Sequence, residues 1–508
     1  MRFTPLDYAV LVAYLVAVVL VGASFSRRQK SLREYFHAGG SMPWWAVGIS
    51  LMSTTLSPIS YLATPGWIFF KDSRYALGGG LAEFVFIFVA VAIWVPVWSR
   101  LRLMSIYEYL QRRFHPAVRT FAATIFILTM LFWVGNGVVT ASMGFESVTG
   151  FDGRWCLVTI AALATLYTML GGMRAVIWTD VAQFAIFTGA YVGILLVILA
   201  AFDWQPMAVY ELASATVSGE TGKPHTQLFS YEFQLSIEAT IWAILFQRLV
   251  AAVQFGSRQE IVQRLHAAGD GRGMFKAMMG GACCGLMFNL ITLPVAWGFV
   301  AFYQKFPELA APISHTDQVL PTFVVQQLPA VIRGVIMAGV LAALMSTFDS
   351  AINAMSNVMI NDFFRRNGKT PLPEEKLVRV AKTLTLSCGL MVLLFSLWQY
   401  EHRGDTALER LGKMINLIAP PVPMFFLLGI FTRRANAPGV MCGALAGILF
   451  VLPLNGLGGL FEPLYSGINW MWIAGLGLIV SCAVGYLASL LFAPPGAEKL
   501  RGLTLLGE

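Results

Sequence analysis

The stretch "ALMSTFDSAINAMSNV" (343–358) puts Ser346, Asp349, Ser350, Asn353 and Asn357 at i, i+3, i+4, i+7 and i+11, which is one face of a helix. Met345, Phe348, Ile352 and Met355 form an apolar face opposite. The surrounding run, "VIRGVIMAGVLAALMSTFDSAINAMSNVMI", is oily enough to cross a bilayer. A carboxylate at that depth costs about 2.5–3.5 kcal/mol even on the mildest scale, so something must offset it. Hydroxyls, a carboxylate and backbone carbonyls are hard oxygen ligands. With no His or Cys among them, the set does not suit zinc or copper, and the natural guest is sodium or a proton.

Three more ionisable groups lie within apolar runs: Asp180 in "GGMRAVIWTDVAQFAIF", Glu83 in "GGGLAEFVF" and Arg248 in "IWAILFQRLVAAVQF". Arg248 is too deep to reach water by extending its side chain. It needs either an intramembrane acid, Glu83 or Asp180, or an anionic ligand. Singly, each acid has a plain reading as half of a structural ion pair. Together, in one bundle, they mark a transport path. The second run, "PWWAVGISLMSTTLSPISYLATPGWIFF", carries Ser53, Thr54, Thr55 and Ser57 just before Pro58. Proline removes a backbone donor and clashes with the preceding turn, so this span is expected to be a discontinuous helix with carbonyls open at mid-membrane.

The elements that must hold these groups are membrane helices. The chain has 508 residues, 57% hydrophobic and 12% charged, against roughly 25% charged for soluble domains. Apolar runs fall near 6–25, 43–70, 76–99, 117–146, 154–170, 177–202, 237–256, 275–304, 332–361, 380–399, 413–432, 437–455 and 469–493, about thirteen spans. No long polar segment divides them, so residues 1–508 read as a single all-α polytopic membrane domain. The first run is too long for a signal peptide and ends in "SRRQK", a stop-transfer pattern.

The net charge of +8 does not indicate a nucleic-acid partner. With the N-terminus outside, most of the 35 Lys and Arg fall in short inside segments, Arg258 and Arg264 among them, as the positive-inside rule requires. The C-terminus is then cytoplasmic. Glycine clusters at 77–80, 135–137, 171–172 and 280–285 mark close helix contacts. "SIYEYLQRRFHP" (105–116) reads as an amphipathic surface helix, 203–236 and 305–330 as external loops with short helices, and the tail from "APPG" as loose. The six cysteines have neither metal-ligand spacing nor a disulfide pattern.

Three other classes fit less well. An intramembrane aspartyl protease would set an acid in G-x-G-D, whereas these acids sit in "TDV" and "FDS". A channel would need a filter-like loop, and a transporter-fold sensor without flux would carry a signalling domain. Neither feature is found in the sequence.

"YFHAGGSMPWWAVGIS", "GGMRAVIWTDVAQ", "RQEIVQR" (258–264) and "AALMSTFDSAIN" together resemble the signature stretches of the sodium:solute symporter family, in that family's order, from about Asp7 to Arg434. The resemblance implies a LeuT-type inverted-repeat fold, with core repeats about 43–202 and 237–432 and extra helices at 6–25, 437–455 and 469–493. It also implies sodium-coupled secondary active symport of a small polar organic solute, a sugar or a hydroxylated or carboxylated compound, by alternating access in the plasma (inner) membrane. Proton coupling is the alternative. A sodium site would fall on Ser53, Leu56, Ala343, Ser346 and Thr347. The further cation position of some members would fall on Asp180, Asp349 and Ser350, with Asp349 where some relatives have serine. Substrate contacts would fall on Ser57, Ser60, Glu83, Asn136, Arg248 and Gln254. Asn136 stands where sialic-acid transporters have a carboxylate-binding arginine, and Gln254 where sugar transporters have a gating tyrosine.

Overall fold

In lipid every backbone N–H and C=O must find a partner within its own segment, so long apolar runs fold as helices. The computed structural model describes residues 3–26, 29–56, 59–311, 313–365, 372–402, 420–455 and 467–505, and among these there is no strand beyond one isolated bridge, Val217 to Pro224. Ser57, expected in the substrate site, lies outside the described residues, as do Pro58 and the first part of the 413–432 span.

The helices are α1 (Pro5–Ser24), α2 (Leu32–His37), α3 (Trp44–Thr55), α4 (Thr64–Phe70), α5 (Arg74–Arg100), α6 (Tyr107–Arg113), α7 (Pro116–Thr149), α8 (Gly153–Ala201) and α9 (Pro206–Ala215). The second half adds α10 (Ile241–Phe255), α11 (Gln259–Ala267), α12 (Gly271–Lys305), α13 (Val319–Gln327), α14 (Ile332–Val358), α15 (Glu374–Glu401), α16 (Pro421–Phe431), α17 (Ala437–Asn455) and α18 (Trp470–Leu490). Among the described residues nine helices are long and apolar enough to cross a membrane. The broken pair on either side of residue 58, bent by 71°, makes ten, and α10 and α16 are shorter apolar helices. The expected spans 154–170 and 177–202 join as α8, which leaves helical geometry only at Gly172 (φ 58, ψ −166). A side chain there would be strained, and its Cβ would stand 2.8 Å from the Tyr35 carbonyl.

The order of elements repeats. A helix broken by a few residues (α3/α4) is followed by a long helix (α5), a short one (α6) and a long one (α7). A second broken helix (α10/α11, parted at Gly256–Arg258) is followed by long α12, short α13 and long α14. This is the layout of a LeuT-type repeat, although the residues themselves show no repeat by eye.

The centre of the bundle is α14, which packs against α8, α7, α1, α15 and α3. Its apolar face is as buried as its polar one: Met345, Phe348, Ile352 and Met355 are all fully covered. Helices α3 and α12 meet backbone to backbone. A Cβ on Gly48 would lie 2.8 Å from the Ala277 carbonyl, and one on Gly281 would lie 2.9 Å from that of Gly48.

One expectation is refined and one corrected. Helix α6 is amphipathic, with Arg112 exposed, but its inner face is tied into the bundle: Tyr107, Tyr109, Leu110 and Arg113 are buried, and Arg113 donates to the carbonyls of Gly429, Thr432 and Ala435 at the end of α16. That capping satisfies carbonyls that a helix end leaves open. The tail is not loose over its described part. Lys499 donates to the Phe114 carbonyl (2.8 Å), the Leu503 carbonyl accepts from Tyr109 (2.9 Å), and the Leu505 N–H donates to the Ile430 carbonyl (3.0 Å).

Candidate functional site

Helix α3 stops at Leu56, whose backbone (φ −79, ψ 88) has left helical geometry. Pro58 has no N–H to offer the Thr54 carbonyl. Side chains of α14 supply donors at this break. The Ser346 hydroxyl donates to the Ser53 carbonyl (3.0 Å) and to Ala343 (3.1 Å). The Thr347 hydroxyl donates to the Thr54 carbonyl (3.3 Å) and to Ala343 (3.2 Å). Ser53, Ala343, Ser346 and Thr347 thus converge as expected, and all are fully buried. Leu56 adjoins them at the break. The Thr54 carbonyl is a member of this cluster that sequence reading did not select.

The second expected cluster holds a surprise. Asp180 and Ser350 are brought together, but a guanidinium stands between them. Arg264 of α11 lies 3.2 Å from Asp180, donates to the Ser50 hydroxyl (2.8 Å) and the Glu260 carbonyl (2.9 Å), and hydrogen-bonds Ser350. Ser50 in turn donates to Asp180 (2.5 Å). Both partners of the Arg264–Asp180 pair are fully buried. Asp349 takes a different partner, the Tyr167 hydroxyl of α8 at 2.7 Å, and accepts from Ser350 at 3.1 Å.

By the charge pattern Arg264 reads as one of the inside-segment charges. It is instead on a half-helix whose nine residues are all buried. The same half-helix extends the polar face of α14: Gln263 donates to Asn353 (2.5 Å) and accepts from Asn357 (3.0 Å). The available signal was positional. In the repeat, α11 corresponds to α4, the second half of a broken span, and so enters the bundle.

A cavity of about 400 Å³ opens beside the break. Its wall includes Leu56 and Ser60 from the broken span, Glu83 from α5, Arg248 and Gln254 from α10, and Asn289 from α12. On α5, Ala76, Glu83, Ile87 and Ala90 line it from one helix face, while Leu81, Val85 and Phe88 on other faces are exposed. Arg248 finds Glu83 at 3.3 Å, so of the two acids considered for it, Glu83 is the partner. Asn136 is buried on α7 but is not on this cavity wall. Tyr75, Trp67 and Trp133 supply aromatic faces. A volume and lining of this kind suit a small organic molecule.

The chain is 30% identical to the sodium/sialic acid symporter NanT of Aliivibrio fischeri, covering 96% of this chain and 94% of the relative. It is 30% identical to the sodium/sialic acid symporter SiaT of Proteus mirabilis, covering 97% and 96%. The solved structure of a Na⁺-coupled sialic acid symporter in a substrate-bound outward-open state superposes with a TM-score of 0.86 at 28% identity, covering 97% of this chain and 99% of that one. The model of the sodium:solute symporter family matches residues 35–447. With a LeuT-type helical bundle, oxygen groups gathered at a broken helix and a matching family model over most of its length, the chain belongs to the sodium:solute symporter family.

Proposed function

We propose that this multi-pass membrane protein imports a small polar organic solute with Na⁺ by alternating access, through about thirteen spans with the N-terminus outside and the C-terminus cytoplasmic. The core is formed by residues of about 43–202 and 237–432, with extra helices at 6–25, 437–455 and 469–493. Sodium is cargo here, held by the carbonyls of Ser53, Leu56 and Ala343 and the hydroxyls of Ser346 and Thr347. The observation that carries this is the donation of Ser346 and Thr347 to carbonyls at the α3 break. A cation arriving there replaces those hydroxyl protons as the positive partner of the carbonyls. The hydroxyls then rotate to offer lone pairs, which ties α3 to α14 and holds the outward-open form. Solute then binds beside the break, against Ser57, Ser60, Glu83, Arg248 and Gln254, while Asn136, off the cavity wall, makes no contact with it. Each unit of net charge moved inward across 100 mV adds about 2.3 kcal/mol of drive.

Uptake into proteoliposomes should stop when choline replaces sodium. In the Ser346→Ala variant the sodium concentration for half-maximal uptake should rise on the order of tenfold, about 1.4 kcal/mol. Unchanged uptake in choline rejects sodium coupling, and an unchanged sodium dependence in the variant rejects this site. Proton coupling is supported by one observation, the buried Asp349 held by Tyr167 rather than by a cationic side chain. Uptake in choline driven by an inward proton gradient would favour it. A sensor without flux would bind solute yet show no uptake under either gradient.

A further inference from the structure

Arg248 stands in the middle of α10 with its hydrogen bonding incomplete. Its one acidic contact is Nη1 to Glu83 Oε2 at 3.3 Å, a single long bond, and its Nε is buried with no partner. A guanidinium offers a rigid planar fork that matches a carboxylate through two parallel bonds, and Glu83 uses one tooth of it. The fork packs closely on α5: a Cβ at Gly79 would lie 2.7 Å from Arg248 Nη2, so a larger residue there would push the guanidinium aside. The Tyr75 ring backs it, 5.8 Å from Cζ. The other arginine on the wall, Arg258, is already held by Glu260 at 2.5 Å. Glu83 is 49% exposed, on the same cavity.

We propose, building on the symport reading above, that Arg248 binds the carboxylate of the solute and that the solute carries an O–H or N–H donor on a carbon next to that carboxylate. The bound carboxylate takes the fork that Glu83 half occupies. Glu83, left beside a second carboxylate, is stable only if it accepts a hydrogen bond from the solute. The pair therefore selects a 2-hydroxy or 2-amino acid: Arg248 requires the anion, and Glu83 requires the adjacent donor and penalises plain acids. A 2-hydroxy acid anion moved with one Na⁺ carries no net charge, so the membrane potential contributes only if a second cation travels as well, whereas a zwitterionic 2-amino acid moved with one Na⁺ carries one unit inward.

The test is thermal unfolding of the full-length protein in detergent, with and without sodium, against matched probes. Gluconate and N-acetylneuraminate carry a hydroxyl beside the carboxylate, and alanine and serine an ammonium. Hexanoate carries neither, and gluconamide and glucose carry no charge. At least one of the first four should raise the midpoint in sodium, while hexanoate, gluconamide and glucose should not. Which pair responds separates hydroxyl from ammonium. In R248Q the responding acid should bind at least about tenfold more weakly, and in R248K less weakly than that, since charge without the fork is retained. In E83Q hexanoate should begin to bind.

A neutral probe that binds as well as its acid overturns the assignment. So does a responding acid that binds R248Q as it binds the unaltered chain, or silence from all four acids. In each case, stabilisation by sodium alone leaves the symport reading intact, and its loss from the unaltered protein would count against that reading instead. Sodium stabilisation retained in R248Q also shows that the variant is folded.

Discussion

Two of the arginine–carboxylate pairs among the described residues, Arg264–Asp180 and Arg248–Glu83, have nearly equal separation and are built for different work. Arg264–Asp180 (3.2 Å) has both partners at 0% exposure, and the guanidinium also meets Ser50, Ser350 and the Glu260 carbonyl. Arg248–Glu83 (3.3 Å) is 22% and 49% exposed, with one bond between the partners and an idle Nε. A buried charge is tolerable only when its hydrogen-bonding capacity is nearly filled. In the first pair the Arg264 guanidinium bonds through all three nitrogens, while Asp180 Oδ1 is buried without a partner, and the pair ties α11, α8, α3 and α14 together. The second leaves capacity over, which a cavity ligand can use. Distance alone would have ranked the two alike; burial and the bonding of the guanidinium separate them.

The largest effect belongs to the fully buried pair. Asp180→Asn leaves Arg264 charged, dry and short of its counter-ion, and should cost about 3–5 kcal/mol. It should show as a large fall in the unfolding midpoint and in the fraction of monodisperse protein. The double variant Asp180→Asn, Arg264→Gln removes both charges and should recover much of that loss. A single variant as stable as the parent would erase the contrast between the pairs.

A smaller effect is expected at the second carboxylate of the cluster. Asp349 has a tyrosine hydroxyl where Asp180 has a guanidinium. Tyr167→Phe removes that donor and little else, so it should cost about 1.5–3 kcal/mol, the range for hydrogen bonds to a charged group. Because Asp349 lies one residue from Ser350, which bonds Arg264, the loss should not add independently to that of Asp180→Asn. Strict additivity in the double variant would mean that the two carboxylates do not share one network.

Legibility followed sequence distance. The break before Pro58 could be read because proline and four hydroxyls lie within a few residues of one another. The polar face of α14 could be read because helical spacing sorts its residues, and the close contact at Gly281 because small residues signal it. Arg264 could not. Its hydrogen-bond partner Ser50 is 214 positions away, Asp180 is 84 away, and its own segment is too polar to resemble a span. Arg113 of helix α6 and the tail escape sequence reading for a related reason. Their polar side chains look solvated but are matched to backbone carbonyls of α16 and of the chain near Phe114, and a carbonyl leaves no mark in the residue code. Asn136 was placed by resemblance, and resemblance fixes a position on a helix without fixing what that helix face meets. The substrate side was thus only partly legible: Glu83, Arg248, Ser60 and Gln254 do share one cavity, but only the geometry separates a guanidinium bonded through all three nitrogens from one with an idle Nε.

The smallest effect gives the sharpest test of that separation. Glu83→Gln keeps the size of the side chain and an oxygen that can still accept from Arg248, and removes only the charge. Arg248 is left near the open side of a cavity where water can solvate it, rather than in a dry core. The stability change should therefore stay within about 1 kcal/mol, the range of solvent-screened pairs. Raising the salt concentration should weaken even that difference, because ions reach this pair and do not reach Arg264–Asp180. The measurement is the unfolding midpoint of Glu83→Gln and of the parent at low and high potassium chloride, with sodium held constant. A loss as large as that of Asp180→Asn, insensitive to salt, would make Arg248–Glu83 a second structural clamp. Arg248 would then have no fork to spare for a ligand.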